Sequence, residues 1–241
     1  MEPDRTLIVV PTYNERQNVA PLITQLLQVV AEADVLLVDD NSPDGTASFV
    51  QQKFGANSRV SVLIRADARS FGRSVLDGYR AAVEGDYARA VQLDADFSHD
   101  PNMVPAMIAA SRDADLVIGS RYCPGGRVEN WPWRRKLLSR FANRYVAIIT
   151  GLDVRDSTAG FRCWTRRGLE SLLQMGVNSE GYAFLLEAAF RAQRAGLRIV
   201  EIPIIFTDRR AGQSKMSGRV IFESVAKPWA LRFGLTDKSQ R

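Results

Sequence analysis

The chain has 241 residues, is 46% hydrophobic and carries a formal net charge of +5, which fits a soluble globular protein with one large domain and an anionic partner: a nucleic acid, a phosphorylated metabolite or an anionic membrane surface. Its two cysteines, Cys123 and Cys163, exclude a disulfide framework and a four-cysteine zinc site and point to a reducing compartment, and its single histidine, His99, excludes a multi-histidine metal site. No secretory leader is expected from M-E-P-D-R-T, and Arg144 interrupts the best apolar candidate, residues 141–152, before it could span a bilayer.

Along the first half, short apolar runs (Leu7 to Val10, Val35 to Val38, Val60 to Ile64, Ala90 to Leu93, Leu116 to Ile118), broken only by Ser61 and Gln92, alternate with segments of helical period such as Leu22, Ile23, Leu26, Leu27 and Val30. That rhythm reads as βαβ units, and strands apolar in more than every second position read as a mostly parallel sheet covered on both faces by helices. In such a sheet ligands bind at the carboxyl ends of the strands. The first strand ends in Pro11-Thr12-Tyr13-Asn14-Glu15, where Thr12 and Glu15 have capping-box spacing for the next helix. The second ends in V-D-D-N-S-P-D-G-T, with Asp39 and Asp40 placed to accept hydrogen bonds from nucleobase N–H groups and with Ser42-Pro43 and Asp44-Gly45 as turn formers. The fourth ends in Q-L-D-A-D-F-S-H-D-P, where Asp94 and Asp96 have no Lys or Arg beside them in sequence. Two close carboxylates repel unless a cation lies between them, and a hard divalent ion sharing diphosphate oxygens would remove that penalty. The same residues suit an ordinary solvated turn, and the spacing alone does not choose. His99 reads as a surface residue. No G-x-x-x-x-G-K-[ST] or G-x-G-x-x-G follows any strand, which argues against a P-loop NTPase and a dinucleotide fold.

Trp131 to Ile149 joins Trp131, Trp133, Phe141 and Tyr145 to Arg134, Arg135, Lys136, Arg140 and Arg144. This composition fits a helix in a membrane interface, a groove for single-stranded nucleic acid, or a packed helix with a basic outer face. Near the end of the chain, Ile221, Phe222, Val225 and Trp229 fall on one helical face, with Pro228 expected to kink or end that helix before Trp229. The tail either meets a membrane or packs on the sheet.

The segments V-P-T-Y-N-E, L-L-V-D-D-N-S-P-D-G-T, Q-L-D-A-D-F-S-H-D-P, V-I-G-S-R-Y, D-S-T-A-G-F-R, G-Y-A-F-L-L-E and E-I-P-I-I-F-T-D-R-R-A-G-Q-S-K-M-S, in this order, resemble the family-two glycosyltransferases, and more closely their polyprenyl-phosphate (dolichol-phosphate) mannose synthase branch. The resemblance implies an α/β nucleotide-diphospho-sugar transferase fold of GT-A type with a mostly parallel, Rossmann-like sheet. It implies a catalytic domain over 1–217 that includes the basic interfacial region 131–150, and an amphipathic tail over 218–241. Pro11, Tyr13, Glu15, Asp39 and Asp40 would hold the nucleotide. Asp94 and Asp96 would bind Mg²⁺ or Mn²⁺, with Ser98 as a third metal contact. Arg121, Arg135 and Ser139 would meet the lipid phosphate, and Arg209 with Lys215 the donor phosphates, with Arg210 an adjacent candidate. One segment departs from the pattern: after Arg65 relatives carry a Lys-x-Gly-Leu-Gly type loop, where this chain has A-D-A-R-S-F-G-R-S.

The implied reaction is inverting transfer of mannose from GDP-mannose to a polyprenyl monophosphate. A phosphate monoester is largely dianionic at pH 7 and attacks without a general base. The resemblance further implies peripheral attachment to the cytoplasmic face of a membrane, no nucleic-acid partner, and room for a membrane-anchoring partner subunit. The competing readings are another donor such as UDP-glucose, a non-lipid acceptor, or a non-catalytic module that binds nucleotide sugar or nucleic acid.

Overall fold

In a computed structural model, residues 5–67, 69–177, 179, 181–208 and 226–234 are described. Strands β1 (Thr6–Thr12), β2 (Ala33–Asp39), β3 (Val60–Ile64), β4 (Arg89–Gln92) and β5 (Leu116–Ser120) alternate with helices α1 (Arg16–Val29), α2 (Thr46–Phe54), α3 (Phe71–Glu84) and α4 (Val104–Ala110). There follow β6 (Arg127–Val128), α5 (Trp133–Thr150), β7 (Arg162–Thr165), α6 (Arg166–Gln174), α7 (Gly181–Arg194), β8 (Ile199–Pro203) and β9 (Ile205–Phe206). One seven-stranded sheet has the order β3-β2-β1-β4-β7-β5-β8, and β6 pairs with β9. The β1, β2, β3 and β4 pairings and β5 with β8 are parallel, as the alternation predicts, whereas β7 runs antiparallel between β4 and β5.

Each central strand divides its side chains between two cores, because successive Cβ atoms point to opposite faces. Leu7 and Val9 of β1 join Val75 and Tyr79 of α3, Leu172 of α6 and Phe184 of α7. Ile8 and Val10 join Leu22 and Ile23 of α1, Val50 of α2 and Met107 of α4. Each such side chain, fully removed from water, contributes about 1.5–3 kcal/mol. Helix α3 lies tightly on β1: a Cβ at Gly78 would come within 2.3 Å of Val9 Cγ1, so Gly78→Ala would force the two apart. The outermost strand, β3, differs from the expectation of two covered faces, since it has a neighbour on one side only and leaves Leu63 and Ile64 exposed.

The chain moves outward from β1 through β2 to β3 and then returns to β4 on the other side of β1. The crevice between the carboxyl ends of β1 and β4 is therefore the topological switch point, where this class of sheet binds ligands. Pro11 to Glu15 and Asp94 to Asp96 leave the sheet there.

Candidate active site

The β1 and β2 ends are fastened together from inside. Asp39 is fully buried and accepts hydrogen bonds from Thr12 Oγ1 (2.8 Å), Ser42 N (2.7 Å) and Ser42 Oγ (2.6 Å). Asp40 pairs with buried Arg65 and accepts from Ser74 Oγ (2.8 Å) and Ser70 N (3.2 Å). Both carboxylates thus shape the loops around the crevice. The predicted capping box does not form: Glu15 itself occupies the N-cap of α1 without a side-chain cap bond, its carboxylate accepts from Asn18 Nδ2, and Thr12 is committed to Asp39. Pro11 and Tyr13 are half-buried at the rim, with the exposed Arg69 guanidinium 4.0 Å above the Tyr13 ring. Arg69 comes from the loop that departs from the family pattern.

At the β4 end, Asp94 keeps 35% of its side chain exposed, while Asp96 is buried and accepts from Ser98 N (3.0 Å) and from the Ser98 hydroxyl. Ser98 therefore orients Asp96. His99 is not a surface residue. It is 2% exposed, packs on Phe161 and Phe206, and its Nδ1 accepts from Asp94 N at 3.1 Å. Burial pushes its pKa below the ordinary value, against the pull of Asp94, so the ring is a neutral prop under the turn. The polar signal of a histidine next to acids hid this burial. With Nδ1 in use, the donor set here is carboxylate oxygen without thiolate or free imidazole, and no cluster of three or more His, Cys, Asp or Glu forms among the described residues. Two carboxylates that leave positions for diphosphate oxygens and water fit Mg²⁺ or Mn²⁺.

The third group stands at the end of β5. Buried Arg121 is gripped by Asp156, through Nε (2.7 Å) and Nη2 (2.6 Å), and donates to Thr158 Oγ1 (2.8 Å). Tyr122, Trp131 and Phe206 lie 5.3, 5.7 and 5.4 Å from its guanidinium. Arg135, in the first turn of α5, stacks 3.7 Å from the Trp131 centroid and reaches Asp208 at 3.5 Å. Ser139 accepts a 2.7 Å hydrogen bond from Tyr122. Arg121, Arg135 and Ser139, which the resemblance groups, thus lie around Tyr122 and Trp131, rings it does not assign. Further support was not legible in the sequence. Asn143 donates to Ser139 O and accepts from Ser157, tying α5 to the D-S-T-A-G-F-R loop. Arg162 is completely buried, its pKa lowered to about 10 by that burial, and donates to the carbonyls of Ser157 and Ala159.

The turn after β4 lies against the segments after β9 and before β7. Thr207 N donates to Ser98 O (3.4 Å), and a Cβ at Gly160 would sit 3.4 Å from Asp94 Oδ1. Arg209, Arg210 and Lys215 lie outside the described residues.

On the other side of α5, Trp133, Leu137, Leu138, Phe141 and Ile148 are 57–70% exposed, interspersed with exposed Arg134, Arg140 and Arg144. The 226–232 helical segment retains Pro228 and Trp229 together, so the proline does not end it before Trp229. Leu231 enters the core, Trp229 Nε1 donates to Tyr145, and the stacked rings of Trp229 and Phe233 stay exposed. Ile221, Phe222 and Val225 lie outside the described residues. No helix among the described residues is long and apolar enough to cross a membrane.

The family model described as Glycosyl transferase family 2 matches residues 7–173. The chain is 41% identical over 231 residues to an undecaprenyl-phosphate mannosyltransferase of Micrococcus luteus, covering 96% of this chain and 94% of that one. It is 40% identical over 240 residues to a polyprenol monophosphomannose synthase of Mycolicibacterium smegmatis, covering 98% and 90%. The crystal structure of glucosyl-3-phosphoglycerate synthase from Mycobacterium tuberculosis with Mn²⁺, UDP and glucosyl-3-phosphoglycerate has a TM-score of 0.72 at 17% identity, over 98% of this chain and 82% of that one, a likeness of fold.

Proposed function

The chain belongs to glycosyl transferase family 2, and we propose that it moves mannose from GDP-mannose to a polyprenyl monophosphate with inversion, giving a β-linked lipid product. The observation that carries this reading is the two-sidedness of α5: Arg135 and Ser139 face the crevice while Trp133, Leu137, Phe141 and Ile148 face out. A helix with phosphate-binding groups on one side and exposed apolar groups on the other suits an acceptor with a phosphate head and a hydrocarbon chain.

Pro11, Tyr13 and Glu15 line the donor's nucleotide end, on loops shaped by Asp39 and Asp40. Asp94 and Asp96, with Ser98 orienting Asp96, would hold Mg²⁺ or Mn²⁺, which would neutralise charge gathering on the leaving diphosphate. Arg209 and Lys215 would assist on the same oxygens. On the acceptor side the Arg135 guanidinium matches phosphate oxygens in fork geometry and aims one of them at the anomeric carbon, while Arg121, whose own fork is held by Asp156, adds positive charge behind it. That oxygen carries charge already, so no side chain has to remove a proton. Attack from the face opposite the diphosphate inverts the centre.

Labelled GDP-mannose and UDP-glucose, each offered with a short polyprenyl phosphate, test the reading. Radiolabel from GDP-mannose alone should enter an organic-extractable product. An aqueous product, transfer from UDP-glucose alone, or no transfer would overturn the acceptor, the donor or the activity respectively.

The exposed face of α5, with Trp229 and Phe233 beside it, would rest on an anionic membrane surface. Each cation near such a surface adds about 1 kcal/mol, so the protein should sediment with anionic vesicles at low salt, leave them at high salt, and fail to bind when Arg134, Arg140 and Arg144 are neutralised together. Equal recovery with neutral vesicles would assign attachment to the apolar face alone; no recovery would assign it to an anchoring subunit.

A further inference from the structure

Trp131 and Trp133 stand two residues apart, yet the fold separates them. Trp133 opens α5 and is 68% exposed. Trp131 precedes the helix and is half-buried, with its ring edge-on to Phe206 (5.6 Å, 75°) and carrying Arg135 at 3.7 Å, the shortest cation-to-ring distance among the described residues. Its Nε1–H is buried without a hydrogen-bond partner. Leaving such a donor unpaired is unfavourable, and phenylalanine would fill much of the space without that penalty. What indole offers in return is the strongest π face of the aromatic side chains.

Arg135 needs such a fixture. It lies with Arg134 and Lys136 in the first turn of a helix that has no acidic residue there, at the end where the helix dipole disfavours cations. Its contact with Asp208 is 3.5 Å long between side chains that are both more than a third exposed, so it holds the guanidinium weakly. Stacking uses the face of the guanidinium and leaves the N–H edge available for two phosphate oxygens.

We propose that Trp131 is a positioning residue for the acceptor: its ring holds the Arg135 guanidinium flat and pre-aimed, with the N–H edge turned to the incoming phosphate. This rests on a phosphate monoester being the acceptor. Trp131 belongs to the site, while the neighbouring Trp133 belongs to the exposed face.

The test uses the full chain, GDP-mannose and farnesyl phosphate as a soluble acceptor. Trp131→Ala should raise KM for farnesyl phosphate about tenfold, leave kcat at saturating acceptor within about threefold, and leave GDP affinity and vesicle recovery unchanged. Trp131→Phe, which keeps a π face and removes the unpaired donor, should recover KM to within about threefold of wild type without loss of thermal stability. Because the ring acts through Arg135, adding Trp131→Ala to Arg135→Ala should give no further loss. Additive losses, a Trp131→Phe enzyme as impaired as Trp131→Ala, or a loss of GDP affinity would each overturn the proposal. If Trp131→Ala does not fold, Trp131→Leu, which fills much of the space without a π face, measured in the presence and absence of Arg135→Ala still decides it: a raised KM for farnesyl phosphate that vanishes in the Arg135→Ala background is expected, and a wild-type KM would overturn the proposal. Failure of the wild type to use farnesyl phosphate would instead overturn the functional reading beneath it.

Discussion

On one side of the crevice, proposed for the donor, carboxylates are committed to hydroxyls, backbone amides and one arginine; on the other, proposed for the acceptor, arginines are committed to aromatic rings and to the carboxylates of Asp156 and Asp208. Asp39 and Asp40 are buried and satisfied by Thr12, Ser42, Arg65 and Ser74. Arg121 and Arg135 have Trp131, Phe206 and Tyr122 beside them, with Asp156 in close contact with Arg121 and Asp208 at 3.5 Å from Arg135. On the proposed function, the difference follows from what each side would hold. A nucleotide is large and offers many polar contacts, so rigid loops suffice to position it. A lipid phosphate offers a single polar group on an apolar chain, and a ring-bound guanidinium gives it charge without surrounding it with water.

If the carboxylate side supplies the metal site, its removal should have the largest effect. Asp94→Asn or Asp96→Asn is nearly isosteric and relieves like-charge repulsion, so the fold should persist and the apoprotein should be no less stable. Activity should fall on the order of a thousandfold, since a lost metal contact removes several kcal/mol of stabilisation from the departing diphosphate. Full activity of both variants in EDTA would remove the metal from the mechanism.

The comparison is sharpened by separating affinity for the two substrates. Arg135→Ala should weaken use of the lipid phosphate and spare GDP binding, whereas Lys215→Ala should weaken GDP binding and spare the acceptor. Each loses a charge-assisted hydrogen bond of about 1.5–3 kcal/mol, roughly tenfold to a hundredfold in affinity. Calorimetry with GDP alone reads the split, and the opposite pattern would exchange the two roles.

The donor side was the more legible in sequence because its strands are largely apolar runs and its carboxylates follow directly after them. The parallel pairing around β1 and the D-x-D turn at the end of β4 follow from that pattern, whereas the strand order that makes the switch point comes from the long-range pairing of β1 with β4. Strand β7 did not show, since R-C-W-T has neither an apolar run nor alternation, and its antiparallel course depends on pairing with β4 and β5 from distant parts of the chain. On the acceptor side the residue types were visible, and the partners were not. Asp156 reaches Arg121 across 35 positions, and composition could not distinguish Trp131, which packs inward, from Trp133, which does not. His99 was misread for the same reason: its burial is supplied by Phe161 and Phe206, which no local pattern announces.

The smallest expected effect lies where the acceptor side meets the end of the chain. Glu187, in G-Y-A-F-L-L-E, is fully buried and holds Lys227 of the C-terminal helical segment at 2.9 Å, with Arg191 Nε at 2.8 Å and the Ser179 hydroxyl also donating. Burial pushes the Glu187 carboxyl up, but the bonds from Ser179 and Lys227 and the Lys227 charge outweigh it, and its pKa is held below the ordinary value. A carboxyl depressed in the folded state adds stability above its unfolded pKa of about 4.3 and loses it as pH falls through the folded value. Urea unfolding should therefore show wild type losing stability below about pH 4.3 more steeply than Glu187→Gln, which should be less stable by about 1.5–3 kcal/mol at pH 7. Since Lys227 leads into Trp229 and Leu231, the same variant should loosen the segment that places Trp229 and Phe233 beside α5. Anionic-vesicle recovery should then fall modestly while farnesyl phosphate turnover persists. Parallel acid-unfolding curves for the two proteins would show that this buried ion pair does not anchor the tail, and the membrane-facing surface would then be α5 alone.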